Sequence, residues 1–235
     1  MLRNLVLSVA LILAVGLVPL AVAVPAEADV IVLSTATTTL DDNSFDYPFQ
    51  NNFGGEPNMA GDPRGGLLGY HDMFTLLNPA NIVIDSASLR VYSNADGQYI
   101  TLSRVTTPWL SLKPAGQAQY NVTGVYSDAA NQIGWLSDPG ANYAYGASDY
   151  TTVGATTMAL NAGYNASTDC DVTAIVSAMY ATGVNEGFFV QATGGYIRSS
   201  EYLGAELTIN YHSTPEPATL SLLALGVLGM LRRRK

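Results

Sequence analysis

The reactive side chains of this 235-residue sequence are few: two histidines, His71 and His212, one cysteine, Cys170, and 19 carboxylates. They form no H-E-x-x-H, no G-x-S-x-G and no cysteine pair for zinc, so metalloprotease, serine-esterase and zinc-finger chemistry have no scaffold here. Cys170 lies between Asp169 and Asp171, and neighbouring negative charge raises a thiol pKa rather than activating it. It reads as a small buried apolar residue. Two well-spaced carboxylates can hydrolyse a glycosidic bond, but sequence separation does not give spatial separation, so no pair stands out. Asp41, Asp42 and Asp46 crowd around Asn43. They could supply hard oxygen ligands to a structural calcium, against the plainer reading of a solvated loop. The run from Gly54 to Gly66 lacks G-K-[ST] and reads as a long turn rather than a phosphate loop.

With no catalytic constellation, aromatic rings become the natural recognition groups. A flat ring stacks on the apolar face of a sugar, and a tyrosine adds a hydrogen-bonding edge. Tyr143 and Tyr145, in a Gly- and Asn-containing segment, are expected to be exposed; Trp109 and Trp135 beside strands are expected to be core, with Trp135 kept as a weaker ligand candidate. Between Asp29 and Thr214 only five basic residues face 17 acidic ones, a net charge of −12. Nucleic acid is therefore not an expected partner, since phosphate binding needs clustered Lys and Arg.

The two ends read as membrane-directed segments. Arg3, an apolar run from Leu5 to Val18 and the small residues Ala26 and Ala28 have the three parts of a secretory signal, with cleavage expected before Asp29. At the other end, Pro215-Glu216-Pro217 precedes an apolar stretch from Ala218 to Leu231 and the basic cluster Arg232–Lys235. That stretch is shorter than the ~20 residues of a comfortable span, which suits a transient sorting helix better than a permanent anchor. Motif, helix and basic end together resemble the PEP-CTERM sorting tail. The resemblance implies a membrane protease, an exosortase, that reads Pro215, Glu216 and Pro217, removes the helix and passes the protein to the surface. An ordinary tail anchor is the alternative.

The middle of the chain alternates apolar and polar residues in short runs broken by Gly, Pro and Asn, the pattern of half-buried strands. Ala87, Leu89 and Val91 share one face of one run, Leu207, Ile209 and Tyr211 of another, and Gly187–Ala192 reads as a more buried strand. One segment is helical instead: Val172, Ile175, Val176 and Met179 recur at i, i+3, i+4 and i+7. Asp171 suits its N-cap and Gly183 its C-terminal stop. The expected fold is an all-β, jelly-roll-like antiparallel β-sandwich with one short capping helix, plus an N-terminal signal helix and a C-terminal transmembrane sorting helix. The expected division is a signal peptide over 1–28, a sandwich over 29–212 and a sorting tail over 213–235.

The ordered motifs of the middle resemble a DNRLRE-type domain. They run from Asn52-Phe53-Gly54 through an apolar strand around Met73–Leu77 to Ile84-Asp85-Ser86-Ala87-Ser88-Leu89-Arg90-Val91. Val105 with Trp109, Ala118-Gln119-Tyr120, Trp135 with Pro139-Gly140-Ala141, Asp171-Val172-Thr173, Gly187-Phe188 and Ser200-Glu201 follow in order. Tyr120 stands where that family commonly has tryptophan, and the basic residue it usually places before the strand near Phe74 is missing. The resemblance implies a non-catalytic module that binds extracellular polysaccharide. A structural matrix protein without a ligand is the second expectation, and a small glycoside hydrolase or lyase a distant third.

Overall fold

The computed structural model describes residues 28–46, 58–59, 64–93, 99–115, 117, 126–128, 130–131, 133–134, 148–193, 197–198 and 204–214. In chain order the strands are β1 (Asp29–Leu33), β2 (Leu40–Asp46), β3 (Asn58–Met59), β4 (Arg64–Tyr70), β5 (Ile82–Tyr92), β6 (Tyr99–Val105), β7 (Tyr126–Asp128), β8 (Ile133–Gly134), β9 (Tyr150–Ala159), β10 (Ser167–Asp171), β11 (Phe188–Thr193), β12 (Ile197–Arg198) and β13 (Glu206–Ser213). Among the described residues two α-helices interrupt them, a single turn α1 (Met73–Leu76) and α2 (Thr173–Thr182), with a 3-10 turn over Pro79–Asn81.

The strands form two main antiparallel sheets, ordered β1-β13-β5-β10 and β2-β4-β11-β6-β9. β1 pairs with β13, β4 with β11, β5 with β10 and β6 with β9. With β2 set aside the pairs nest inward, first strand with last and each later strand with one nearer the middle, the non-local pairing of a β-sandwich. β2 adds an edge beside β4.

The core lies between the sheets and follows from the alternation. Leu33, Ala87, Leu89, Val91, Cys170, Leu207 and Ile209 come from one sheet, and Leu40, Leu68, Tyr70, Ile100, Leu102, Phe188 and Val190 from the other. Their polar neighbours in sequence face outward because successive side chains point to opposite faces of a strand. Helix α2 contributes Ile175, Val176, Met179 and Tyr180 to the same core and packs on β5 of one sheet and on β6 and β9 of the other.

Asp171 does not take the expected N-cap position: Val172 stands there without a side-chain cap bond, and Asp171, one residue before it, steadies the first turn because its Oδ1 accepts from Thr173 N–H at 2.9 Å and from Thr173 Oγ1–H at 2.7 Å. Gly183 closes the other end in the left-handed conformation, φ 66°.

Three further expectations are corrected. The segment around Met73–Leu77 is not a strand; the strand is Arg64–Tyr70, and Met73–Leu76 forms a helical turn. Met73 and Leu77, one turn apart, both turn inward, a spacing that suits a helix as well as it suits a strand. The glycine run is not wholly a turn, since Gly65 and Gly66 pair with Gln191 and Val190 inside the second sheet. Asp41, Asp42 and Asp46 do not lie in a loop but along β2, opposite Gly69, Leu68 and Arg64.

Candidate functional site

Where α2 gives way to β11, the chain runs through Gly183-Val184-Asn185-Glu186-Gly187 beside the loop that follows β6. A cleft of about 290 Å³ opens there, lined by His71, Phe74, Leu110, Ser111, Gly183, Val184, Asn185 and Glu186. Its walls are fixed by local rules. Gly183 ends the helix, and Gly187, at φ 71°, turns the chain into β11. A side chain at Gly187 would collide with the Leu68 carbonyl oxygen and come within 2.9 Å of Gly69 Cα.

Glu186 organises the floor. Its carboxylate is buried, and Oε2 accepts from the backbone N–H groups of Trp109 at 2.9 Å, Leu110 at 2.9 Å and Ser111 at 3.2 Å. Oε1 accepts from the Ser111 hydroxyl. Charge-assisted bonds of this kind hold a loop that has no strand partner of its own. The Trp109 indole N–H donates to the Glu186 carbonyl at 2.5 Å, closing the clamp from the other side. At the start of the loop, Thr107 Oγ1 donates to Asp149 Oδ1 at 2.6 Å.

The clamped loop covers the outer face of the second sheet. Leu67, Val105, Trp109, Leu110 and Phe189 are buried but stand outside the central core, and Phe189 packs on Tyr150 with ring centroids 4.8 Å apart. Leu110 fills the space over Gly69, where an added Cβ would lie 2.7 Å from Leu110 Cδ2.

On the opposite wall, Asn185 Nδ2 donates to the Tyr70 carbonyl at 2.8 Å. Phe74 meets Tyr180 edge-on at 5.0 Å. The Tyr180 hydroxyl donates to the Met73 carbonyl at 3.4 Å, and burial, with a smaller contribution from Tyr211, pushes its phenol up from the ordinary value.

The remaining reactive groups of the described residues are built into the sheets. Cys170 is fully buried, and burial, aided by Asp169, raises its thiol to about 12. Arg90 grips Asp169 through Nε at 2.8 Å and Nη2 at 3.2 Å and reaches Glu206 at 3.4 Å, tying β10, β5 and β13 across the outer face. His212 Nδ1 meets Asp85 Oδ1 at 2.8 Å, at an irregularity in the β5–β13 register.

Tyr143, Tyr145, Trp135, Ala26 and the motif Pro215, Glu216 and Pro217 lie outside the described residues. Ala28 and Asp29 lie at the start of β1, and Trp109 is a buried ring on the outer face of the second sheet, outside the central core. Among the described residues no cluster of three or more His, Cys, Asp or Glu could hold a metal ion, and no helix is long and apolar enough to cross a membrane. Sequence reading missed Glu186 because its partners are 75 to 77 positions away. Its one local signal is a lone acid between a helix stop and an apolar strand.

No curated protein matches this sequence. The family model described as the PEP-CTERM protein-sorting motif matches residues 213–235. That motif implies an exported, membrane-anchored precursor, processed by an exosortase-type membrane protease for display at the surface.

Proposed function

We propose that this chain is a surface protein whose sandwich associates with extracellular polysaccharide and catalyses no reaction. Residues 1–28 act as its signal peptide, 29–212 as the folded module and 213–235 as the tail, whose apolar segment crosses the membrane until it is removed. The observation that carries the reading is the sorting motif over 213–235, which places the module among proteins destined for the cell exterior. On the ordered motifs of its sequence we read the sandwich as DNRLRE-type.

The non-catalytic part is supported by what the buried groups already do. Both oxygens of Glu186 are engaged by loop donors, and a general acid needs an oxygen turned toward substrate. The Cys170 thiol, buried and raised to about 12, is a poor nucleophile.

The test is retention of the purified module on cell-surface polysaccharide from the native host. Wild type is expected to be retained, and Tyr143→Ala or Tyr145→Ala to weaken retention by about 1 kcal/mol each, the scale of one aromatic contact. Wild type that is not retained would replace this reading with that of a structural matrix protein.

A further inference from the structure

We propose that, until its tail is cut, the sandwich sits end-on against the membrane, with the start of β1, the start of β5 and the end of β13 on a zwitterionic lipid surface. The proposal rests on the sorting reading above and follows from where the strands end.

β13 is an inner strand, paired with β1 on one side and β5 on the other. Asp29 is opposite Tyr211, Tyr211 is opposite Ile84, and Ser213 is opposite Ile82. Directly opposed residues on neighbouring strands are about 5 Å apart. The first residues of β1 and β5 and the last residues of β13 therefore form one end of the first sheet.

Ser213 is still paired to β5, and Thr214 alone separates it from Pro215. The apolar stretch begins at Ala218. Fully extended, the five steps from Ser213 to Ala218 reach about 17 Å, and a headgroup layer takes up ~5–8 Å of that. The end of β13 is thereby held within about 10 Å of the headgroup surface. A stalk has no residues to be made from.

The N-terminal segment leaves from the same place. Ala28 is joined directly to Asp29, the partner of Tyr211, so both membrane-directed segments depart from one end of one sheet. Neither tether has to cross the sandwich, and the module can fold while both ends are held.

The surface beside the exit suits a neutral lipid interface. Val30, opposite Asn210, is 59% exposed, and Val83, opposite His212, is 44% exposed, so an apolar side chain flanks β13 on each side. The ionic cluster of Arg90, Asp169 and Glu206 lies farther along the sheet, where Glu206 pairs with Arg90. Asp29 and Asp85 at the same end, with the module's net charge of −12, disfavour anionic headgroups.

The chain offers a clean probe, because its one cysteine is buried. Single substitutions Val30→Cys, Val83→Cys and, at the opposite end of the sandwich, Tyr164→Cys would carry a thiol-linked fluorophore on the full, uncut chain; Tyr164 is 68% exposed in the turn between β9 and β10, next to Asn165, whose N–H donates to the Ser93 carbonyl just beyond the far end of β5. The chain is reconstituted in phosphatidylcholine vesicles containing a headgroup-nitroxide phosphatidylcholine. Labels at 30 and 83 are expected to be quenched about twofold or more relative to 164, since they would lie at headgroup depth. A flexible Gly-Ser insert of about 12 residues after Thr214, adding ~20 Å of reach, should remove the difference. Equal quenching at all three positions in a chain that floats with the vesicles overturns the proposal alone, and so does quenching that survives the insert. A chain that does not float overturns the tail reading and this proposal with it.

Discussion

Glu186 concentrates more hydrogen bonds on one side chain than any single contact in the sheets provides, and its removal leaves three buried or half-buried N–H groups and a hydroxyl without their acceptor. Glu186→Ala is expected to lower folding stability by about 2–4 kcal/mol, the scale of several orphaned buried donors. Glu186→Gln, which keeps one acceptor oxygen, should lose less. Denaturant titration of the two variants checks the order, and equal losses would mean that packing, not hydrogen bonding, holds the loop. Cys170 makes a second residue-scale prediction. Its thiol is raised from 9.0 to about 12 in the fold, so the folded state holds this proton more tightly than the unfolded chain. The stability it contributes is complete below pH 9.0 and is lost as pH rises toward about 12. Cys170→Ala should flatten this alkaline slope, and the native thiol should stay unreactive toward disulfide reagents at neutral pH until the protein unfolds. The character of Cys170 was legible in part from Asp169, although burial outweighs its charge. The role of Glu186 was not legible, because a clamp between segments so far apart in sequence leaves no local pattern.

At the level of elements, local periodicity was informative where one face of an element is buried and the other is wet. Strands β5 and β13 and helix α2 declared themselves because Ala87, Leu89, Val91, Leu207, Ile209, Ile175, Val176 and Met179 all reach the core. The turn α1 did not, since four residues are too few to separate a helical period from a strand period. Nor did β4, where Gly65 and Gly66 provide no side chain to alternate. The first turn of α2 yields a test. Hydrogen bonds from the Thr173 hydroxyl and then its N–H hold the Asp171 carboxyl below its usual value of 3.8. The contribution of these bonds is therefore present above about pH 3.8 and is lost as pH falls through the lowered folded value. Asp171→Ala should cost about 1 kcal/mol at neutral pH, the scale of a lost hydrogen bond, while Asp171→Asn, a neutral acceptor, should show a shallower acid slope. Identical acid slopes in wild type and Asp171→Asn would remove Asp171 from the account. At the other end of the same connection, Gly187→Ala should prevent stable folding, because both its φ of 71° and the Leu68 carbonyl exclude a side chain. Soluble, cooperatively unfolding Gly187→Ala protein would contradict that placement.

At the scale of the whole molecule, the nested pairing of first strand with last is non-local and has no signature in any one window of sequence; only the succession of short strands and turns pointed to a sandwich. The sorting motif is the opposite case, a contiguous signal readable without any fold. The two meet at Ser213, where the last paired residue of the sandwich stands two positions before Pro215. The sandwich is thus joined to a tail that matches a sorting motif, and the account stands on that tail being read and removed. The direct measurement is mass spectrometry of surface-exposed protein from the native host. The sandwich is expected to yield peptides through β13, with none from Ala218–Lys235, whereas recovery of that terminal peptide on mature surface protein would contradict removal by a sorting protease and return the tail to a permanent anchor.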